Sequence, residues 1–246
     1  MILAGKTDIG TARSENQDDY RAALCADGSA WALVCDGMGG ARGGKTAAET
    51  ACKAIEAAFS AGGCEAGGEE AFLREAMKAA NAAIFRMASD NADYAGMGTT
   101  AVCALLRGGT AYLAHVGDSR CYLWSGGRLT QLTHDHSYVQ ELVDNGRITA
   151  VEAEHHPRKN VITRALGVEC SVEPEYTQAD VAPGELLLLC TDGLSNAVSK
   201  NQMELLLRLQ DPYAAVKSLI DAANASGGPD NITALILGRE TEEKHE

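Results

Sequence analysis

The stretch from Trp31 to Gly44 constrains the chain most. An apolar run, Trp-Ala-Leu-Val-Cys, leads into Asp36, Gly37, Met38, Gly39 and Gly40, and then into Ala-Arg-Gly-Gly. Such a run ending in aspartate and followed by glycines reads as a buried strand delivering a carboxylate to a loop that needs backbone freedom. Taken alone, Asp-Gly is a common turn dipeptide and demands no site. Repetition changes that reading. Leu186 to Cys190 runs through Thr191 into Asp192 and Gly193, and Tyr112 to Val116 runs into Gly117 and Asp118. Gly227, Gly228 and Pro229 bring Asp230 up to the apolar run Ile232 to Leu237, and Asp18 and Asp19 add acid near the start. Crowded carboxylates are each driven towards protonation unless a cation sits among them. A fold that converges these strand-end positions therefore makes an oxygen-rich site for a hard divalent ion such as Mg²⁺ or Mn²⁺.

The helical period predicts one helix from Gly43 to about Ala61, directly after the glycine loop, and a second from Glu69 to Ser89 with Phe72, Ala76, Ala80 and Ile84 as its stripe. From Thr99 to Leu132 short β-rich runs alternate with glycine turns, which predicts an antiparallel meander. Residues 133–165 are the least regular. They hold a short helix around Tyr138 to Val143 and a capping-box pattern, Thr149 with Glu152, and suit a flap over a site. Strands follow at Glu173 to Val181 and Glu185 to Thr191. Ser199 then caps one helix, Asp211 with Pro212 starts the next, and a last strand ends near Leu237 before a charged tail, 239–246. Strands cluster rather than alternate with helices. That argues for an α+β fold with antiparallel sheets flanked by helices, against a doubly wound parallel sheet.

The formal net charge of -13, with no run of Lys or Arg, argues against nucleic acid as a partner. A phosphate-ester substrate needs local cations to overcome that field. The chain shows no leader segment and no run of membrane-spanning length, which suits a soluble, cytoplasmic protein. Its eight cysteines never form a Cys-x-x-Cys pair, and buried reduced thiols are the economical reading. Arg13 lies five residues before Asp18. In an extended segment one would meet a phosphate and the other a metal; alone, the pair reads as a solvated turn. Asp118, Ser119 and Arg120 alone read as a turn with a local Asp to Arg pair. His134, His136, His155 and His156 suit either metal and proton chemistry or plain hydrogen bonding.

Read together and in order, these motifs resemble the metal-dependent protein phosphatase family, type 2C, in its compact bacterial form. They are Arg13 with Asn16, Gln17 and Asp18; Asp36 to Gly40; Met97 to Thr100; His115 to Arg120; Leu132 and Thr133 with Asp135 to Ser137; Ile162 to Gly167; Cys190 to Leu194; and Pro229 to Thr233. The resemblance covers about residues 1–238 and implies a single catalytic domain: a central β-sandwich of two antiparallel sheets flanked by helix pairs, with a flap at about 133–165. It implies Mn²⁺ or Mg²⁺, two ions per site with a possible third. Asp36 would bridge both ions, the Gly37 carbonyl would ligate one, and Asp192 and Asp230 would hold the first. Asp18 would act near the second through water, Asp118 would hold the third, and Arg13 would bind the phosphate. The implied reaction is hydrolysis of phosphoserine and phosphothreonine by a metal-bridging hydroxide, without a Cys or Ser nucleophile. The implied partners are phosphorylated proteins and a cognate serine/threonine kinase, and nothing in the chain demands more than a monomer. A catalytically silent, phosphoprotein-binding relative is the alternative, disfavoured because all five acids and Arg13 are present. Two departures stand out: Met38 and Ala41 occupy positions where relatives carry His, so the proton donor to the leaving group is unassigned.

Overall fold

The computed structural model describes residues 1–62, 64–208 and 211–240, the side chains of 40–42 excepted. The side chain of Ala41 and the tail from 241 onward lie outside the described residues. The strands are β1 (Ile2–Asp8), β2 (Asp18–Leu24), β3 (Ala30–Met38), β4 (Gly98–Thr99), β5 (Ala101–Arg107), β6 (Thr110–Val116), β7 (Arg120–Ser125), β8 (Arg128–Gln131), β9 (Glu175–Asp180), β10 (Leu186–Cys190) and β11 (Ile232–Gly238). The helices are α1 (Gly40–Ser60), α2 (Glu69–Asp90), α3 (Tyr138–Asp144), α4 (Ala150–Glu154), α5 (Asp192–Ser195), α6 (Lys200–Leu206) and α7 (Pro212–Ala225).

Two antiparallel sheets form, one in the order β1-β11-β10-β7-β8 and the other β2-β3-β5-β6-β9, with β4 paired to β3. The apolar runs explain why they stack. Along β3 successive side chains point to opposite faces, so Ala30, Ala32 and Val34 join the core between the sheets while Trp31, Leu33 and Cys35 pack under α1 and α2. β10 divides in the same way: Leu187 and Leu189 face the other sheet, and Leu186, Leu188 and Cys190 face α6 and α7. A strand buried on both faces has no polar side to show, which is why these runs do not alternate. The outcome is the four-layer α-β-β-α arrangement expected from the sequence, with the Trp31 and Phe59 rings stacked 4.5 Å apart in the outer layer.

Two strands escaped the sequence pattern. β1 and β2 are edge strands, mostly half-buried, and carry Lys6, Asp8, Asp18, Asp19 and Arg21. Polar residues suit an edge, and they hide the strand period. α1 also begins at Gly40, three residues earlier than its apolar stripe suggests, and α5 is an additional single turn. The expected caps are present: Ser199 with Gln202, Thr149 with Glu152, and Asp211 on the amides of Tyr213 and Ala214.

Strand register decides what shares an end of the sandwich. Asp18 pairs with Asp36, Ala101 with Val116, and Cys190 with both Arg120 and Ala234. The start of β2, the end of β3, the β6 to β7 turn, the end of β10 and the start of β11 are thereby brought together. The tightest joint is Gly193, where an added Cβ would overlap the Asn231 carbonyl oxygen. Gly193→Ala should therefore cost about 2–3 kcal/mol in urea unfolding. Gly68→Ala, whose Cβ would meet only the Glu65 carbonyl at 3.4 Å, should shift the midpoint little.

Candidate metal centre

Asp36 lies one residue before the glycine that ends the inner part of β3, and its backbone is held on every side. Its N–H donates to Thr100 Oγ1 at 3.0 Å, and its carbonyl accepts from the Thr100 N–H at 2.9 Å and the Thr99 hydroxyl at 2.8 Å. The Thr100 hydroxyl also meets Ser119 Oγ at 2.7 Å, linking β3 to the turn that carries Asp118. Gly37 donates its N–H to the Gln17 carbonyl at 3.1 Å. A Cβ there would overlap the Gly44 carbonyl oxygen, so no other residue fits between the Gln17 and Gly44 backbones.

The second sheet supplies Asp192 and Asp230. Asn196 Nδ2 donates to Asp192 Oδ2 at 3.0 Å. Asp230 accepts its own neighbour's amide, from Asn231, at 2.9 Å on Oδ1, and Arg13 Nη2 at 2.8 Å on Oδ2. Asn231 fastens the Arg13 segment to β11. Its Oδ1 accepts from the Gln17 N–H, and its Nδ2 donates to the carbonyls of Ile9 and Glu15. The structure thus gathers Arg13, Asp36, Gly37, Asp118, Asp192 and Asp230 around one open cleft of about 680 Å³. Asp18 lies behind Asp36, buried, and does not line the cleft.

Burial and mutual repulsion dominate the electrostatics. Burial, opposed by the hydroxyls of Thr233 and Thr191, pushes Asp18 up to about 7, with Asp192 and Asp230 adding to the rise. Burial, then Asp192 and Asp135, raises Asp118 to about 8 against the pull of Arg120. Asp36 rises well above the carboxylate range through burial and then through Asp18, Asp192, Asp118 and Asp230 together. Asp192 is raised by burial and by Asp230. Asp18 Oδ1 is buried without a hydrogen-bond partner. A cluster of oxygen donors with an orphaned carboxylate oxygen and nearly all its acids destabilised as anions fits hard divalent cations.

Sequence reasoning missed the supports of this site. Thr100, Ser119, Thr191, Thr233 and Asn231 all stand in motifs, yet nothing in their order assigns them a partner. Arg120 does not pair locally with Asp118; it forms a bidentate bond to Asp135, Nε to Oδ1 at 3.1 Å and Nη2 to Oδ2 at 2.7 Å, and meets Tyr122 Oη at 3.1 Å. Among the described residues no histidine lines the cleft. His115, His136 and Glu175 do cluster. His136 Nδ1 accepts the Gly117 N–H at 3.1 Å, which leaves its Nε2 as the N–H donated to Glu175 at 3.2 Å. His115 stacks on His136 with Nε2 on the His134 carbonyl at 2.8 Å. Burial holds both rings below the usual imidazole range, and they brace the Gly117 to Asp118 turn from behind.

A β-sandwich with this acidic cluster and one arginine at its open end defines a class of protein built to set divalent cations against an anionic ligand. The profile of the family described as Protein phosphatase 2C matches residues 10–229. A serine/threonine phosphatase, stp, from Listeria monocytogenes is 38% identical over 242 residues, covering 97% of this chain and 96% of that one. The crystal structure of the serine/threonine phosphatase PstP/Ppp from Mycobacterium tuberculosis superposes with a TM-score of 0.88 at 37% identity, over 97% of this chain and 98% of that one. A catalytic domain of PstP solved with two manganese ions gives 0.85 at 36% identity, over 96% of each chain. The chain belongs to the protein phosphatase 2C family.

The raised carboxyls carry a sign. Because Asp18 and Asp118 hold protons to about 7 and 8 in the folded state and to 3.8 ordinarily, the folded protein binds more protons across that window, and its stability in chelator falls as pH rises from about 4 to 8. Mn²⁺ relieves the repulsion. The rise in melting temperature on adding Mn²⁺ should therefore grow between pH 5.5 and 8; an increment independent of pH would contradict a cation-dependent cluster.

Proposed function

We propose that the chain is a metal-dependent protein serine/threonine phosphatase, hydrolysing phosphoserine and phosphothreonine with two Mn²⁺ or Mg²⁺ ions and a weaker third. The observation that carries this reading is the convergence of four aspartates and Arg13 on one solvent-open cleft, with Asp18 buried behind Asp36, in a chain of this family. The PstP domain with two manganese ions and the phosphatase stp support the cofactor and the reaction.

In this reading Asp36, acted on by the four other acids, would be the ligand shared by both ions, with the Gly37 carbonyl beside it. Asp192 and Asp230, from the second sheet, would hold the first ion, Asp18 would serve the second through water, and Asp118, on the β6 to β7 turn, would serve the third. Divalent ions bound here lower the pKa of water enough to furnish hydroxide at neutral pH and set positive charge against the phosphoryl oxygens. Arg13, half-exposed and resting on Asp230, presents a planar fork of donors to those oxygens. With Met38 in the cleft and no histidine among its described lining residues, the leaving alkoxide takes its proton from water.

Residues 1–238 form the catalytic domain in this reading and 133–165 its flap, which puts Asn160 and Ile162 on the rim of the cleft to select substrates. We place the enzyme in the cytoplasm as a monomer opposing a cognate kinase. All eight cysteines are unpaired thiols, which suits a reducing compartment, and no helix among the described residues is long and apolar enough to cross a membrane.

Hydrolysis of an aryl phosphate and of a phosphothreonine peptide should require Mn²⁺ and stop in chelator. Asp36→Asn should lower kcat by on the order of a thousandfold. Undiminished turnover in chelator, or in the Asp36→Asn protein, would refute the assignment. Arg13→Ala should reduce kcat/KM about 10–100-fold through loss of charge-assisted bonds to the phosphate.

A further inference from the structure

Asp18 shows an asymmetry that the roles above do not use. Its Oδ2 accepts two hydroxyl bonds, from Thr191 Oγ1 at 2.8 Å and from Thr233 Oγ1 at 2.7 Å, while its Oδ1 is buried with none. Both threonines are fully buried. Thr191 Oγ1 in turn accepts the Thr233 N–H at 3.0 Å. Counting protons fixes the rest of the network. Thr233 has one hydroxyl proton and gives it to Asp18, so the contact of 2.8 Å between Thr7 Oγ1 and Thr233 Oγ1 has Thr7 as donor. Thr7 Oγ1 accepts from Asn16 Nδ2 at 2.8 Å, and Asn16 Oδ1 accepts the Asp18 N–H at 3.1 Å. The ring closes on Asp18 with every proton assigned. It also crosses the sandwich: Asp18 belongs to β2 in one sheet, and Thr7 and Thr233 to β1 and β11 in the other.

We propose that Thr191 and Thr233 are positioning residues for the second ion: by occupying Oδ2 with two hydroxyls they leave Oδ1 as the single oxygen that Asp18 offers to a hydrated divalent cation. The inference rests on the metal-dependent reading above and extends it to two side chains that line no part of the cleft. Without the hydroxyls the carboxylate is free to rotate, both of its oxygens compete for the ion, and a buried anion loses donors that stabilise it. Rigid support of a ligating group by hydrogen bonds is a general means of raising metal affinity.

The test is Mn²⁺ binding to Thr233→Val and Thr191→Val by isothermal titration calorimetry, with the melting temperature of each measured in chelator. Each variant should lose about tenfold in affinity at one site of the cluster, keep kcat within about twofold at saturating Mn²⁺, and be restored by the matching Thr→Ser. In an Asp18→Asn background Thr233→Val should change Mn²⁺ affinity no further. Lower melting temperature with unchanged Mn²⁺ affinity in both valine variants would overturn the proposal by showing that the hydroxyls serve only the fold. Additive losses in the double variant would overturn it too, by removing Asp18 as the route. Wild-type protein that binds Mn²⁺ but hydrolyses neither substrate would count against the phosphatase reading and leave the affinity comparison standing; wild type that binds no Mn²⁺ would sink both.

Discussion

Repulsion among buried carboxylates is the constraint on which the rest of this structure depends. Asp18 and Asp118 are buried, Asp36 and Asp192 are half-buried at the cleft, and each is disfavoured as an anion. Bringing such groups together opposes folding unless the backbone that carries them is held from elsewhere. Here it is held by strand register. The pairing of Asp18 with Asp36 is one rung of a ladder that continues through Leu24 and Ala30, so the acids are fixed by apolar pairs far from themselves. The doubly buried runs of β3, β10 and β11 supply the burial energy, and the acidic end is carried by the core behind it.

The same logic explains why polar supports surround the cluster. A buried hydroxyl or amide must find a partner, and the cheapest partners at this end are the carboxylates and the backbone beside them. Thr100 and Ser119 join β3 to the Asp118 turn, Asn231 joins β11 to the Arg13 segment, and Thr191 and Thr233 reach across to Asp18. Each link runs between elements distant in sequence. The site is therefore a product of the sandwich rather than of any one loop.

That is also the limit of what the sequence discloses. The doubly buried strands and the two long helices are visible in their period, and Asp36, Asp192 and Asp230 announce themselves by ending or preceding apolar runs. Asp118 is ambiguous from sequence, because Arg120 two residues on suggests a local pair; only the fold shows Arg120 turned to Asp135. β1 and β2 are invisible because an edge strand with one open side tolerates Lys6, Asp19 and Arg21, and those residues erase the alternation. The threonines are invisible for another reason. A Thr beside an Asp in sequence says nothing about an Asp 173 positions away, which is where the Thr191 hydroxyl donates.

The segment 133–165 joins the chemistry to its surroundings. Its two ends are joined to each other by the bridge between Ser137 and Ile162 and by the bond from the Thr163 N–H to the His136 carbonyl at 2.8 Å, and its base is fastened to the sandwich by the bond from the His136 N–H to the Gly117 carbonyl at 3.0 Å. Its body is held by local contacts, with Arg158 stacked 3.9 Å over the Tyr138 ring and His134 bonded to Asp144. One end of this segment puts Asn160 and Ile162 on the rim of the cleft, and the other puts the His136 ring under Gly117, next to Asp118. Rim and floor are consequently parts of one mechanical unit. The Ser137 to Ile162 bridge lies one residue from the imidazole bracing the Asp118 turn. The residues that line the cleft and the imidazole that braces the Asp118 turn are thus joined through one short backbone path.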